Sequence, residues 1–411
     1  MKEFPAVTAI QVGLDFGSGR APLGRLVLRE GRIYFAYEPS FLTSGLEISP
    51  FMLPCKSEVM TFDTRLFEGL PGVFNDSLPD GWGRMLFDRY ALSRGRGPSE
   101  ITVLDRLASV GSHGLGALVY EPESEPEYAG ERVDLDSIAL NVQEVLEGSS
   151  SDVLKQLLAL NGSSAGARPK ALIGVSENFA TIVHGKSEDR EGFEPWLVKF
   201  PNTQDGLDAG SIEYVYALMA KEAGVQMSDV HLFPAKIGPG FFAGKRFDRD
   251  GDKHYHMHSV CGLLHADFRA PALEYQDLLT LTFRLTCDMR EVEKMYRLAV
   301  FNVLAHNRDD HSKNFSFLMD AQGNWRLSPA YDLTFSYGPG GEQSTLVMGE
   351  GRKVGVEHLV KLGLEAKLAK SHITEIIDQT RAALSSWSSL AKQYGVSEVN
   401  VQLIAKRIQE K

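Results

Sequence analysis

A chain of 411 residues is long enough for two or three packed units around sizeable cores, and its 43% hydrophobic and 24% charged content is that of a soluble globular protein. The formal charge of −11 excludes a general electrostatic footprint for nucleic acid and leaves room only for a local basic patch. No apolar run is long enough for a membrane span, "MKEFPAVTAIQVGLDFG" lacks the apolar core of a signal peptide, and Cys55, Cys261 and Cys287 show no metal-type pairing, so a reducing cytoplasm is expected.

Over residues 1–50, "AVTAIQVGL" and "GRLVLREGRIYFAYE" predict a small antiparallel sheet. The Gly-rich "GLDFGSGRAPLG" has no helix after it and reads as a hairpin loop. Pro79-Asp80-Gly81 is a turn leading into a helix, and "GSHGLGALVYEPE" ends in a strand. The acidic, Pro-containing "EPESEPEYAGERVD" marks a linker or domain edge. Beyond it, "DLDSIALNVQEVLEG" and "SSDVLKQLLAL" predict helices. "NGSSAGARPKALIGV" is a turn entering a strand, followed by strands in "FATIVHG" and "EPWLVKFP". "DAGSIEYVYALMAKEAGV" is an amphipathic helix ended by Gly224, and two strands flank a Gly-Pro-Gly turn before residue 248. The rest is mostly helical, apart from a hairpin in "NFSFLMDAQGNWRLSPAYD". The segments are therefore 1–123, 124–248 and 249–411.

The densest chemistry lies in "AHNRDDHSKNFSFLMD", residues 305–320. Asp309 and Asn314 have the D-x-x-x-x-N spacing of a kinase catalytic loop, in which the Asp takes the proton of the attacking hydroxyl and the Asn holds a metal ion. Asp310 is one residue too close to Asn314 for that spacing. Asp332 in "SPAYDLTFS" follows the hairpin, where a kinase carries its second metal carboxylate. Upstream, the Gly-containing "NGSSAGARPK" suits a turn over phosphates, though it fits neither the Walker A nor the G-x-G-x-x-G pattern. Lys199 in "WLVKFP" reads blandly as a snorkelling edge lysine and functionally as the strand Lys that contacts phosphates. Glu213 reads blandly as part of a solvated helix face and functionally as the partner of that Lys. "FAGKRFDR", residues 242–249, falls where a hinge meets adenine. The order is that of a kinase: Gly loop, strand Lys, helix Glu, hinge, D-x-x-x-x-N, metal Asp.

With these motifs the chain resembles the HipA family, bacterial serine/threonine kinases that act as toxins of toxin–antitoxin pairs. "FNDSLPDGWGRMLFDR" and "ASVGSHGLGALVY" are similar to its N-terminal subdomain, and "SSAGARPK" to its phosphate loop. "LVKFP" is similar to its ATP-lysine strand, "RDDHSKNFSFL" and "LSPAYDLTFS" to its catalytic and metal segments, and "MHSVCGLLHADFRAPALEYQDL" to its helical lobe.

The resemblance implies an α+β, two-lobed protein-kinase-like fold. It has an extra N-terminal subdomain on a mixed β/α ATP-binding lobe, and a mostly helical C-terminal lobe. It implies ATP and Mg2+ as cofactors, with Asp309 as base and Asn314 and Asp332 on magnesium. Lys199 would contact the phosphates under a loop of Ala165, Gly166, Ala167, Arg168, Pro169 and Lys170. Lys245 and Phe247 would meet adenine through backbone groups, Asp248 the ribose, and His311 would lie near the phosphates. Ser163 matches the loop serine that is autophosphorylated, with Ser164 adjacent. The implied partners are a protein substrate in the translation machinery, aminoacyl-tRNA synthetases among them, and a helix-turn-helix antitoxin through which DNA is mainly bound. No membrane is implied. Three rival readings are a phosphohydrolase built on His306, Asp309, Asp310 and His311, a small-molecule kinase of the aminoglycoside phosphotransferase type, and a binding module without catalysis. The phosphohydrolase leaves Lys199, the Gly loop and Asp332 without roles.

Overall fold

A computed structural model describes residues 6–123, 132–148, 151–161, 168–185, 192–202, 205–270 and 273–410. The first sheet contains β1 (Ala9–Asp15), β2 (Arg20–Arg29), β3 (Arg32–Tyr37), β4 (Met60–Thr61) and β5 (Leu118–Glu121). Its order is β4-β3-β2-β1-β5, antiparallel throughout, and "GLDFGSGRAPLG" forms the expected β1–β2 hairpin. Alternation along β1 sends Ile10, Val12 and Leu14 into the core, the period-2 pattern of a half-buried strand. Between β3 and β5 come helices α1 (Pro39–Leu42), α2 (Gly72–Asn75), α3 (Gly81–Ser93) and α4 (Val103–Val110).

Helices α5 (Leu135–Glu147) and α6 (Ser151–Asn161) lead to the second sheet: β6 (Lys170–Ser176), β7 (Ile182–His184), β8 (Phe193–Lys199), β9 (Val230–Phe233) and β10 (Phe241–Lys245). Helix α7 (Ala209–Glu222) joins β8 to β9, and the antiparallel order is β7-β6-β8-β10-β9. Its core takes Ala171, Ile173, Trp196, Val198 and Phe241 from the strands, and Trp82, Leu86, Phe87 and Ala91 from α3. The segment before residue 124 thus contributes to two cores, since α3 lies against α6 and this sheet.

A short pair, β11 (Arg249–Asp250) and β12 (Lys253–His254), precedes β13 (His256–Ser259) and α8 (Val260–Leu264). The helical lobe follows with α9 (Tyr275–Thr286) and α10 (Met289–Leu304), then the expected hairpin of β14 (Ser316–Met319) and β15 (Trp325–Leu327), which adds to β13. Helices α11 (Val356–Glu365), α12 (Lys370–Leu384), α13 (Trp387–Gln393) and α14 (Glu398–Gln409) complete the lobe. Its core includes Val215, Tyr216, Met219 and Ala220 of α7. Helix α7 therefore spans the lobes: Glu213 looks to the second sheet, while Tyr216, one turn on, donates to the carbonyl of Ala305 at 2.7 Å.

The N-terminal unit is fastened to the helical lobe where α2 crosses α8. A Cβ on Gly262 would lie 2.5 Å from Asp76 Oδ2 and 2.7 Å from the Gly72 carbonyl, so only glycine permits this approach. Asp76 accepts from the Ser259 amide at 2.7 Å and the Ser259 hydroxyl at 2.6 Å, and its Oδ2 lies 2.6 Å from His258 Nδ1.

Candidate active site

Antiparallel pairing of β6 with β8 puts Lys170 directly opposite Lys199. Two like charges at a paired position are unfavourable unless anions lie between or above them. The structure supplies Glu213 from α7, with Oε1 2.5 Å from Lys199 Nζ, and Asp332, whose Oδ1 also meets that ammonium. Arg168 closes the group, 3.7 Å from Glu213 Oε2 and 3.2 Å from Asp205 Oδ1. Residues 133 positions apart are thereby brought to one lysine. The Lys199–Glu213 pair expected from the sequence is present, and the solvated-face reading of Glu213 fails because its side chain is only 3% exposed.

Protonation follows from this packing. Burial raises Glu213 above the usual carboxylate range, against the pull of Lys199. Burial alone would raise Asp332 too, but Lys199 and Lys170 hold it well below that range. Burial would lower Lys199, yet Asp332 and Glu213 together raise it. Lys170 is lowered by burial to about 8, with Asp332 opposing.

The loop after α10 separates its two aspartates by role. The Asp309 side chain is 54% exposed, with His311 Nε2 at 4.0 Å. Its backbone carbonyl accepts from Asn314 Nδ2 at 2.7 Å, which commits the amide nitrogen and leaves Oδ1 as the ligand atom of that side chain. Asp310 points the other way, into the lobe, and is 1% exposed. It accepts from Tyr275 Oη at 2.7 Å, Gln343 Nε2 at 2.9 Å, and the Ser344 and Thr345 amides at 2.8 and 3.3 Å. Burial pushes Asp310 up to about 7 against these donors. The choice of Asp309 by spacing thus coincides with its being the exposed member of the pair. His306 is buried, with Nδ1 3.1 Å from the Ser336 carbonyl. The four residues of the phosphohydrolase reading therefore do not converge on one point.

The hinge residues are placed unevenly. Lys245 ends β10, its ammonium 2.5 Å from Glu194, and its amide already donates to the Asp229 carbonyl at 2.8 Å. The Phe247 ring lies 5.6 Å from that of Tyr331, next to Asp332. Asp248 departs from the expected ribose contact. It is 2% exposed and accepts from Arg246 Nη2 and Arg249 Nη1 at 2.8 Å each and from the Gly116 amide at 2.7 Å. Burial would raise this carboxyl, but the two guanidinium groups hold it far below its usual range. It therefore clamps the first sheet's last connection to the end of β10 rather than facing a nucleotide. Pro169 and the two cations Arg168 and Lys170 are described, whereas Ser163, Ser164, Ala165, Gly166 and Ala167 lie outside the described residues.

Three features fit a magnesium nucleotide. Arg168, Lys170 and Lys199 concentrate positive charge where polyphosphate oxygens would replace carboxylate partners. The buried Nδ1 of His311 has no hydrogen-bond partner. Asp332 and Asn314 offer oxygen donors, and Mg2+ takes one or two carboxylates plus phosphates and water rather than an all-protein cage. No group of three His, Cys, Asp or Glu side chains suited to a metal gathers among the described residues, which leaves this sparse oxygen set. Asp205, Arg168 as partner of Glu213, and the Tyr216–Ala305 bond escaped the sequence reading. Only Arg168, inside the phosphate-loop stretch, carried a signal.

The fold and this set of residues define the class as a two-lobed, kinase-like phosphotransferase fold. Residues 162–387 match the HipA-like C-terminal domain, and residues 16–121 match the HipA N-terminal domain. The chain belongs to the HipA family. It is 28% identical over 388 residues to Y4mE of Sinorhizobium fredii, named as a candidate kinase, covering 87% of each chain. Y4dM of the same organism, named likewise, is 25% identical over 246 residues, covering 52% of this chain and 59% of that one. The fold is similar to that of the HipA toxin of Shewanella oneidensis, solved with HipB and its operator DNA. The TM-score is 0.67 at 15% identity, covering 98% of this chain and 95% of that one.

Proposed function

We propose that this chain is an ATP- and Mg2+-dependent serine/threonine protein kinase, the cytoplasmic toxin of a bacterial toxin–antitoxin pair. The observation that carries the reading is Lys199 held between Glu213 and Asp332, beside Lys170 and Arg168. Asp309 takes the proton of a serine or threonine hydroxyl as that oxygen bonds to the γ-phosphorus and the bond to the β-phosphate oxygen breaks, leaving ADP. Lys199, Lys170 and Arg168 hold the phosphates in line, and Asn314 and Asp332 would hold magnesium. When bound, that ion offsets charge on the transferring phosphoryl oxygens. Phe247, beside Tyr331, lines the adenine side.

The substrate class is a translation protein, an aminoacyl-tRNA synthetase among the candidates. The partner is a helix-turn-helix antitoxin, as HipB accompanies the Shewanella protein. With a net charge of −11, this chain gains its DNA affinity through that partner. Autophosphorylation at Ser163, with Ser164 next to it, completes the reading. Each added unit charge at ~5 Å from a nucleotide phosphate costs about 3 kcal/mol at an effective dielectric of ~20, so the modified loop loses ATP.

The test is incubation with γ-labelled ATP and magnesium, alone and with cell lysate. Label on serine or threonine of a protein, absent with Asp309→Asn, is expected. Label only on small molecules, or ATP-independent phosphate release, overturns the reading. Mass spectrometry of the tryptic peptide ending at Lys170 locates the autophosphorylation.

A further inference from the structure

Among the described residues no hydrogen bond holds the Asp309 side chain, so its position follows its backbone. Among the described residues only His311 Nε2, at 4.0 Å, comes within ion-pair distance of the Asp309 carboxylate. Whatever fixes the peptide groups around it fixes the base. Those peptide groups are pinned one after another. The carbonyl of Asn307 accepts from Gln343 Nε2 at 3.2 Å, and that of Arg308 accepts from the Ser344 hydroxyl at 2.9 Å and the Ser344 amide at 3.2 Å. The carbonyl of Asp309 accepts from Asn314, and that of Asp310 from the Thr345 hydroxyl at 2.5 Å. The Asp310 carboxylate returns the bonds, accepting from Gln343, from the Ser344 and Thr345 amides, and from Tyr275. Tyr275 Oη in turn accepts from Asn302 of α10 at 3.0 Å.

We propose that Asp310 is a positioning residue: with Gln343, Ser344 and Thr345 it forms a buried frame that sets the backbone of the catalytic loop and thereby the reach of Asp309. The inference rests on the phosphotransfer reading of Asp309. All four residues of the frame are 5% exposed or less, so none of them touches substrate. Their role is geometric, and the frame reaches the loop from a segment more than 30 residues downstream.

A positioning carboxylate and a proton-transferring one respond differently to amidation. Asn at position 310 keeps an oxygen for the Ser344 and Thr345 amides. Its new NH2 group replaces the oxygen that accepts from Tyr275 and Gln343, so those two bonds are lost while the Ser344, Thr345 and Asp310-carbonyl bonds stay. Thr345→Val is close in shape but deletes the hydroxyl that holds the Asp310 carbonyl, and Thr345→Ser restores it.

The experiment measures transfer from γ-labelled ATP, affinity for a fluorescent ATP analogue, and amide hydrogen exchange over residues 305–313 in wild type, Thr345→Val, Thr345→Ser and Asp310→Asn. Thr345→Val is expected to lose ~10–100-fold in kcat, the scale of a misplaced base, with nucleotide affinity unchanged and faster exchange in the loop. Thr345→Ser should keep most of the wild-type rate, and Asp310→Asn should lose clearly less than Asp309→Asn. Wild-type kcat in Thr345→Val, or equal losses of kcat and nucleotide affinity, overturns the proposal. An Asp310→Asn loss as deep as that of Asp309→Asn does so too. If wild type transfers no phosphate, the kinase reading falls by itself. The exchange comparison then decides the frame: faster loop exchange in Thr345→Val upholds it, and unchanged exchange removes it.

Discussion

Replacing Lys199 with methionine keeps the apolar stem of the side chain and removes its charge. Glu213, 3% exposed, then loses its closest cation and faces Asp332, with Lys170 and Arg168 as the remaining positive charges. Breaking a buried ion pair by removing one partner costs about 3–5 kcal/mol, because the remaining charge stays desolvated. Arg168 remains 3.7 Å from Glu213 Oε2, so the low end, about 3 kcal/mol, is expected here. The deficit has a pH signature. The Glu213 carboxyl is already raised in the folded protein, and it rises further without Lys199. A raised carboxyl binds its proton more tightly folded than unfolded, so the deficit shrinks as pH falls toward the folded value and is full above it. Chemical denaturation at neutral and mildly acid pH measures both effects, and a nucleotide titration reads the loss of phosphate contact. Lys199→Met combined with Glu213→Gln should recover most of the stability and none of the nucleotide affinity. A single variant as stable as wild type, or a double variant no better than the single, would refute the stranded-charge argument.

Asp309→Asn should bind ATP nearly as wild type does while losing about 10²–10⁴ in transfer rate, read by parallel binding and labelling assays. Asp332→Asn should lose magnesium-dependent nucleotide affinity as well as transfer, which calorimetry with and without magnesium separates. Since Lys170 is lowered to about 8, its charge disappears as pH rises through that value, so ATP affinity should weaken over roughly pH 7 to 9. Lys170→Met should flatten that profile. Over the same window the neutral lysine favours the folded state, so wild-type stability should hold or rise while affinity falls. Gly262→Ala places a methyl group 2.5 Å from Asp76 Oδ2 and should cost about 1–3 kcal/mol through forced separation of α2 and α8, visible as a lower melting temperature.

What could be read from the sequence is what chemistry forces into a recognisable pattern. A lysine in an apolar strand, a carboxylate after a hairpin and an Asp–Asn pair at fixed spacing are each needed at a set place along the chain; their order gave the kinase-like reading, and the family resemblance implied the two lobes. Contacts between distant segments carry no such local pattern. Helix α3 is continuous in sequence with the first sheet, yet Trp82 and Phe87 lie in the core of the second. Helix α7 follows a strand of one lobe, yet Tyr216 and Met219 fill the core of the other. Asp248 does carry a local signal: "KRFDR" sets an arginine on each side of a carboxylate, the composition of a buried clamp.

The two aspartates of the loop carry the same lesson further. Spacing to Asn314 separated Asp309 from Asp310 by a single residue, and the structure separates them by solvent: one is half exposed, the other sealed under Tyr275 and Gln343. These are two consequences of one geometry. The two adjacent side chains point to opposite sides, so this loop exposes one carboxylate and buries its neighbour. An unpaired carboxylate there would cost several kcal/mol. The chain meets that demand with donors from residues 343–345, and their cooperation links loop geometry to the packing of the whole helical lobe. Tyr216 ties the α7 helix that carries Glu213 to Ala305, immediately before the same loop. The helix that carries Glu213 and the loop that carries the base are therefore both tied to one segment, the end of α10.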